Sequence, residues 1–235
     1  MSAAEPPYVS ELYSAYASGR LSPPFALMVE TQAAIRADIR RDLELSDAIA
    51  GAMLEDEEPT VMSPNAFESA LRAIDAIDDG KDRTVRAAKS AGAGLQELLN
   101  LPEPLREKAL EACEAQGWQR LTGGVQRLDL GSNPSVHAHL YRLDPGASVP
   151  RHSHHGDEFS LVLHGGFSDD GASYGPGDIA RQTPADTHQP VADDDGVGAY
   201  FQRLAHEGHP DAFLRADGIR HRLREHDLPE LRLAF

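Results

Sequence analysis

The chain has 235 residues, 40% of them hydrophobic, and its 38 acidic against 22 basic side chains give a formal net charge of −16. That balance argues against a DNA- or RNA-binding surface, which needs a basic stripe to neutralise phosphates, and the single cysteine, Cys113, excludes an intrachain disulfide. The sequence shows no apolar leader and no long apolar run, so the expectation is a cytoplasmic chain with no membrane contact.

The first eighty residues are rich in Ala, Leu, Glu and Asp at helical spacing. Val9, Leu12, Tyr13 and Tyr16 follow the i, i+3, i+4, i+7 pattern, and Gly19 stops that helix. Pro23 and Pro24 open a longer helical stretch predicted over about 25–43, with Met28, Ile35 and Ile39 among its apolar positions. A short helix is expected over 47–54. Ser63-Pro64 then reads as a cap followed by a first helical residue, and Phe67, Leu71 and Ile74 read as the buried stripe of a fourth helix. Residues 80–100 read as a linker, poor in large apolar side chains for most of their length. Pro102-Glu103-Pro104 leads a further helix through Cys113, which reads as a small core residue rather than a redox group.

After Trp118 the period changes to two. Val136, Ala138 and Leu140 alternate with His137, His139 and Tyr141, as a half-buried strand requires. The pair His137 and His139 shares a face and reads as solvent-facing or structural. Short strands are also expected over 159–163 and 198–204. The histidines of the tail, His209, His221 and His226, read as surface residues.

The segment from Gly146 to Gly165 carries the chemistry. His152 and His154 are two residues apart, so a strand aims both at one point. Gly156 allows a bend that returns Glu158 to the same point from the next strand. Two imidazoles and a carboxylate suit a divalent metal. His188, after the turn Tyr174-Gly-Pro-Gly-Asp178, supplies a fourth ligand. His155 is out of phase with the pair and reads as a rim residue.

The pattern G-x5-H-x-H-x3-E-x6-G, followed by P-G-D and a later lone His, resembles the cupins. That resemblance implies a double-sheet jelly roll with one metal between its sheets. The helical half has a signature of its own. The stretch from Tyr13 to Gln32, Gly51 to Ser63, and Leu101-Pro-Glu-Pro-Leu-Arg106 resemble the ChrR-type anti-sigma factors. In that family the cupin domain follows the helical one, and the resemblance covers residues 8 to about 205. It implies an α+β chain of two domains: helical anti-sigma domain 1–79, linker 80–100, cupin domain 101–207 with a leading helix, and C-terminal extension 208–235. It further implies that the helical domain holds an extracytoplasmic-function-type sigma factor inactive, while the cupin half responds to oxidative signals. An acidic chain is suited to masking a basic DNA-binding partner.

One departure stands out. The helical domain of that family holds zinc through an early His and an H-x3-C-x2-C run. The matching positions here are Tyr8, Gln32, Arg36 and Ile39. No zinc is therefore expected in the helical domain, with Ile39 replacing a ligand by burial. In the cupin domain the expectation is one divalent metal on His152, His154, Glu158 and His188. Zinc with these four ligands would be closed and would suit sensing. Iron or manganese would leave positions for oxygen and a substrate. A cupin dioxygenase or isomerase with an accessory helical domain therefore stays open as an alternative, as does a sensor without a sigma partner.

Overall fold

The computed structural model describes residues 9–75, 95–121, 123–132 and 136–204. The chain divides into two compact units at Gly117/Trp118, the first helical and the second β.

In the first unit the helices are α1 (Val9–Ala17), α2 (Pro23–Ile35), α3 (Ala37–Glu55), α4 (Ala66–Asp75), α5 (Leu95–Leu99) and α6 (Glu103–Ala115). Helix α1 ends as expected: Gly19 takes a left-handed φ of 65°, and its N–H reaches back to the Tyr16 carbonyl at 2.8 Å. Prolines 23 and 24 occupy the first turn of α2 behind Ser22. Helix α2 is the centre of the unit, with α1, α3 and α6 all packed on it. Met28, Val29, Thr31 and Gln32 of α2 are fully buried, as are Leu98, Leu105 and Ala109 of α5 and α6.

Three expectations need revision. The stretch read as one helix over 25–43 breaks at Arg36, whose backbone is extended at φ −109° and ψ 113°. Beyond the break a single helix runs over 37–55, in place of a separate short one over 47–54. Side chains hold the break: Arg40 donates to the Ala33 carbonyl at 3.2 Å, while Arg36 Nε meets Asp38 at 3.1 Å in the first turn of α3. The helix led by Pro102 packs on α2. Finally, α4 has no buried residue: Phe67 is 68% exposed, and Leu71 and Ile74 lie open as well.

The second unit is the jelly roll that the cupin resemblance implies. Its strands are β1 (Gln119–Arg120), β2 (Val125–Ser132), β3 (Val136–Leu143), β4 (His152–Ser153), β5 (Glu158–Asp169), β6 (Ala172–Tyr174), β7 (Ile179–Gln182), β8 (Thr187–His188) and β9 (Val191–Leu204). One sheet runs β1-β2-β3-β9-β5-β6 with β7 also paired to β5; β4 and β8 form a second, two-stranded sheet. All pairings are antiparallel. Val136, Ala138 and Leu140 are buried as the alternation predicts, while His137 and His139 are half-buried, with parallel rings 6.3 Å apart. The strands read as 159–163 and 198–204 extend further, to 158–169 and 191–204. Val125, Tyr141, Val149, Val162 and Phe167 form part of the unit's apolar core. Gly175-Pro176-Gly177-Asp178 closes a tight turn in which Gly177 has φ 86°, the conformation a type II turn demands at that position.

Candidate metal centre

The two-stranded sheet builds the site. In its register His152 faces His188 and Ser153 faces Thr187. Ser153 is exposed while His152 and His154 are buried, so the pair turns inward as the i, i+2 spacing requires. The chain bends at His155 and Gly156, leaving His155 exposed and returning Glu158 at the start of β5 to the interior. A turn sets His188: Asp186 accepts the Thr183 backbone N–H and hydroxyl, each at 2.7 Å, and the Asp186 N–H returns to the Thr183 carbonyl. Those hydrogen bonds from Thr183, backbone first, hold the Asp186 carboxyl below the usual range.

All four side chains singled out in the sequence converge. His152, His154, Glu158 and His188 are each 3–5% exposed. One ring nitrogen from each of the three histidines falls within 4.8 Å of the others, the one such group of potential ligands among the described residues. Glu158 borders it, with Oε2 3.5 Å from His154 Nε2 and Oε1 4.0 Å from His188 Nε2. The His152 ring sits 4.6 Å from that of His154 and 4.4 Å from that of His188.

The donor set fits a divalent metal by its chemistry. His152 Nδ1 lies 2.9 Å from the Pro150 carbonyl, so Nδ1 carries the proton and Nε2 the lone pair. His188 has the same polarity, its Nδ1 donating at 2.6 Å to Asp169. Backing a ligating imidazole with a carboxylate or carbonyl is the arrangement by which metal sites fix ring orientation.

Sequence reasoning missed Asp169, which is also buried. Counted strictly by twos from Glu158, it falls on the opposite face of β5. Irregularities at Val162/His164 and Gly165/Phe167 interrupt that alternation. The Asp169-Asp170-Gly171 run reads as a turn, and nothing in it marks one aspartate as inward.

The matching positions of the helical zinc motif hold other contacts. Gln32 is fully buried and accepts the Tyr13 hydroxyl at 2.9 Å. Ile39 is 2% exposed, inside the core as expected. Arg36 pairs with Asp38. Tyr8 lies outside the described residues, as do His209, His221 and His226. Cys113 is buried, and burial pushes its thiol up, away from the reactive thiolate.

Residues 106–207 match the ChrR cupin-like domain family. The anti-sigma-E factor ChrR of Cereibacter sphaeroides is 31% identical over 182 residues, 77% of this chain and 81% of that protein. The chain belongs to the ChrR family of anti-sigma factors. The crystal structure of Rhodobacter sphaeroides SigE in complex with the anti-sigma ChrR is similar at a TM-score of 0.57 and 28% identity, covering 83% of this chain and 96% of that one. An RmlC-like cupin from Shewanella frigidimarina aligns at a TM-score of 0.35 and 28% identity over 38% of this chain and 85% of its own. By its family and its geometry, this ChrR-type chain joins an anti-sigma helical unit to a cupin with a cluster of three buried histidines able to hold a metal. No helix among its described residues is long and apolar enough to cross a membrane.

Proposed function

We propose that this chain sequesters an extracytoplasmic-function-type sigma factor in the cytoplasm. The surface of α3 and α4 carries this reading. Leu45, Ile49 and Met53 form a stripe at i, i+4, i+8 on α3, each more than half exposed. Val61 and Met62 lie open between the helices, and Phe67, Leu71 and Ile74 form a second stripe on α4. Large apolar side chains at helical spacing with nothing packed over them suit a helical partner, each buried Leu or Phe contributing about 2 kcal/mol. The net charge of −16 speeds encounter with a basic DNA-binding protein. SigE, held by the related ChrR, is the kind of partner that fits.

The cupin unit, in the same proposal, holds one divalent metal, zinc before iron or manganese, on His152, His154, Glu158 and His188. When bound, the ion would tie β4, β5 and β8 together. The oxidative signal is read in this unit rather than at Cys113, whose thiol is buried. The helical unit needs no zinc, since Tyr13, Gln32 and Ile39 fill its interior. The chain is then a regulator and not an enzyme. Transcription in vitro from promoters of the extracytoplasmic-function-type sigma factors of the same genome tests the proposal: the purified chain should abolish that of at least one at equimolar ratio, and undiminished transcription from all of them at tenfold excess would refute it.

A further inference from the structure

Asp169 is the buried carboxylate that the proposed ligand set leaves unused. Its two oxygens serve three donors. Oδ2 accepts the Nδ1–H of His188 at 2.6 Å and the side-chain amide of Gln182 at 3.1 Å, and Oδ1 accepts the backbone N–H of Gln189 at 3.0 Å. It therefore grips the end of β8 through two consecutive residues, one by its ring and one by its backbone. An ionised carboxylate only accepts. Facing Nδ1, it holds the His188 proton there and leaves the lone pair on Nε2. The same choice fixes the direction of a second contact. The Nε2 atoms of His154 and His188 lie 2.8 Å apart, a hydrogen bond that needs one donor and one acceptor, and Asp169 makes His188 the acceptor. The lone pair thus faces His154 and Glu158 in the metal-free chain.

We infer that Asp169 is a positioning residue for metal uptake: it selects the ligating tautomer of His188 and fixes its ring before an ion arrives. This rests on the reading of His188 as a ligand, but the tautomer is a property of the metal-free chain and is measured without an ion. In an amide the single oxygen can serve the Gln189 N–H, and Gln182 can turn its own amide to accept from the NH2 that replaces Oδ2. Only His188 requires a group that cannot donate.

Asp169→Asn keeps the shape and changes that property. An amide NH2 facing Nδ1 selects the opposite tautomer, with the proton on Nε2, which cannot ligate. Nitrogen-15 NMR of the imidazoles in the metal-free full chain, at about pH 8 where an ordinary imidazole is neutral, reads the tautomer directly; zinc titration reads its consequence. The expected parent signal is His188 protonated at Nδ1. D169N should move the proton to Nε2 and weaken zinc about 10- to 100-fold. Gln182→Ala, which removes a partner of Asp169 without touching His188, should leave the tautomer unchanged. A parent protonated at Nε2 would overturn the inference even if D169N does not fold. So would a D169N chain that keeps the parent tautomer or binds zinc within twofold of it. A parent that takes up no zinc would sink the metal reading, and the tautomer would still decide the role of Asp169.

Discussion

His152 and His188 are direct partners across the β4–β8 ladder, and their rings lie 4.4 Å apart. The same two-residue pairing thus sets backbone register and brings together proposed ligands from segments 36 residues apart in sequence. An ion held there would fasten both strands. Saturating zinc should accordingly stabilise the β unit, by about 2.7 kcal/mol at a free concentration 100 times the dissociation constant. His188→Ala and His154→Ala should retain no metal on purification and show no zinc-dependent rise in unfolding temperature. Stoichiometric metal in a chain lacking all three histidines would remove the assignment.

Tyr13 and Gln32 fasten α1 to α2 within the helical unit. Tyr13→Phe removes the hydroxyl donor to a fully buried amide oxygen and should cost about 1 kcal/mol. A chelator should leave the helical content of the full chain unchanged, since this contact needs no ion. Circular dichroism with and without chelator checks it; loss of helix on chelation would place a metal in this unit.

The break between α2 and α3 carries a pH signature. Hydrogen bonding from Arg36 lowers the Asp38 carboxyl to about 2. A depressed carboxyl adds stability that is fully present above its unfolded value, near 4, and disappears as pH falls through about 2. Asp38 is half exposed, so screening limits the effect to about 0.5 kcal/mol. Asp38→Asn should be less stable than the parent by that amount at pH 7, with most of the gap closed at pH 2 and the rest below it. A gap undiminished at pH 2 would mean the charge is not its source.

Cys113 should be a bystander. Its side chain is 1% exposed and its thiol is pushed up by burial. Cys113→Ala should respond to an oxidant as the parent does in a reporter driven by the sigma factor, while Glu158→Ala should still repress but lose the response. Silence from Cys113→Ala alone would move the sensing chemistry to the thiol.

Much of the candidate site was legible because three of its four side chains come from short-range spacing. His152, His154 and Glu158 lie within seven residues, and period two plus one glycine bend places all three. The missed parts depend on contacts that spacing does not encode. Arg36 breaks a helix without Gly or Pro, through side chains of Arg40 and Asp38. Asp169 turns inward because irregular pairing between β5 and β9 resets the alternation. Phe67, Leu71 and Ile74 have the pattern of a core stripe, and period alone does not distinguish a face that packs within the chain from one kept for a partner.

That open face is the centre of the account, and binding of the purified full chain to extracytoplasmic-function-type sigma factors of its own genome tests it most directly. Titration calorimetry should show a one-to-one complex. Ile49→Asp combined with Phe67→Asp should weaken it at least 100-fold with no loss of thermal stability, because both side chains are more than half exposed in the free chain. Added salt should slow association more than it speeds dissociation, since charge steers encounter while apolar contacts hold the complex. Absence of binding by the parent, or full affinity in the double variant, would contradict the account.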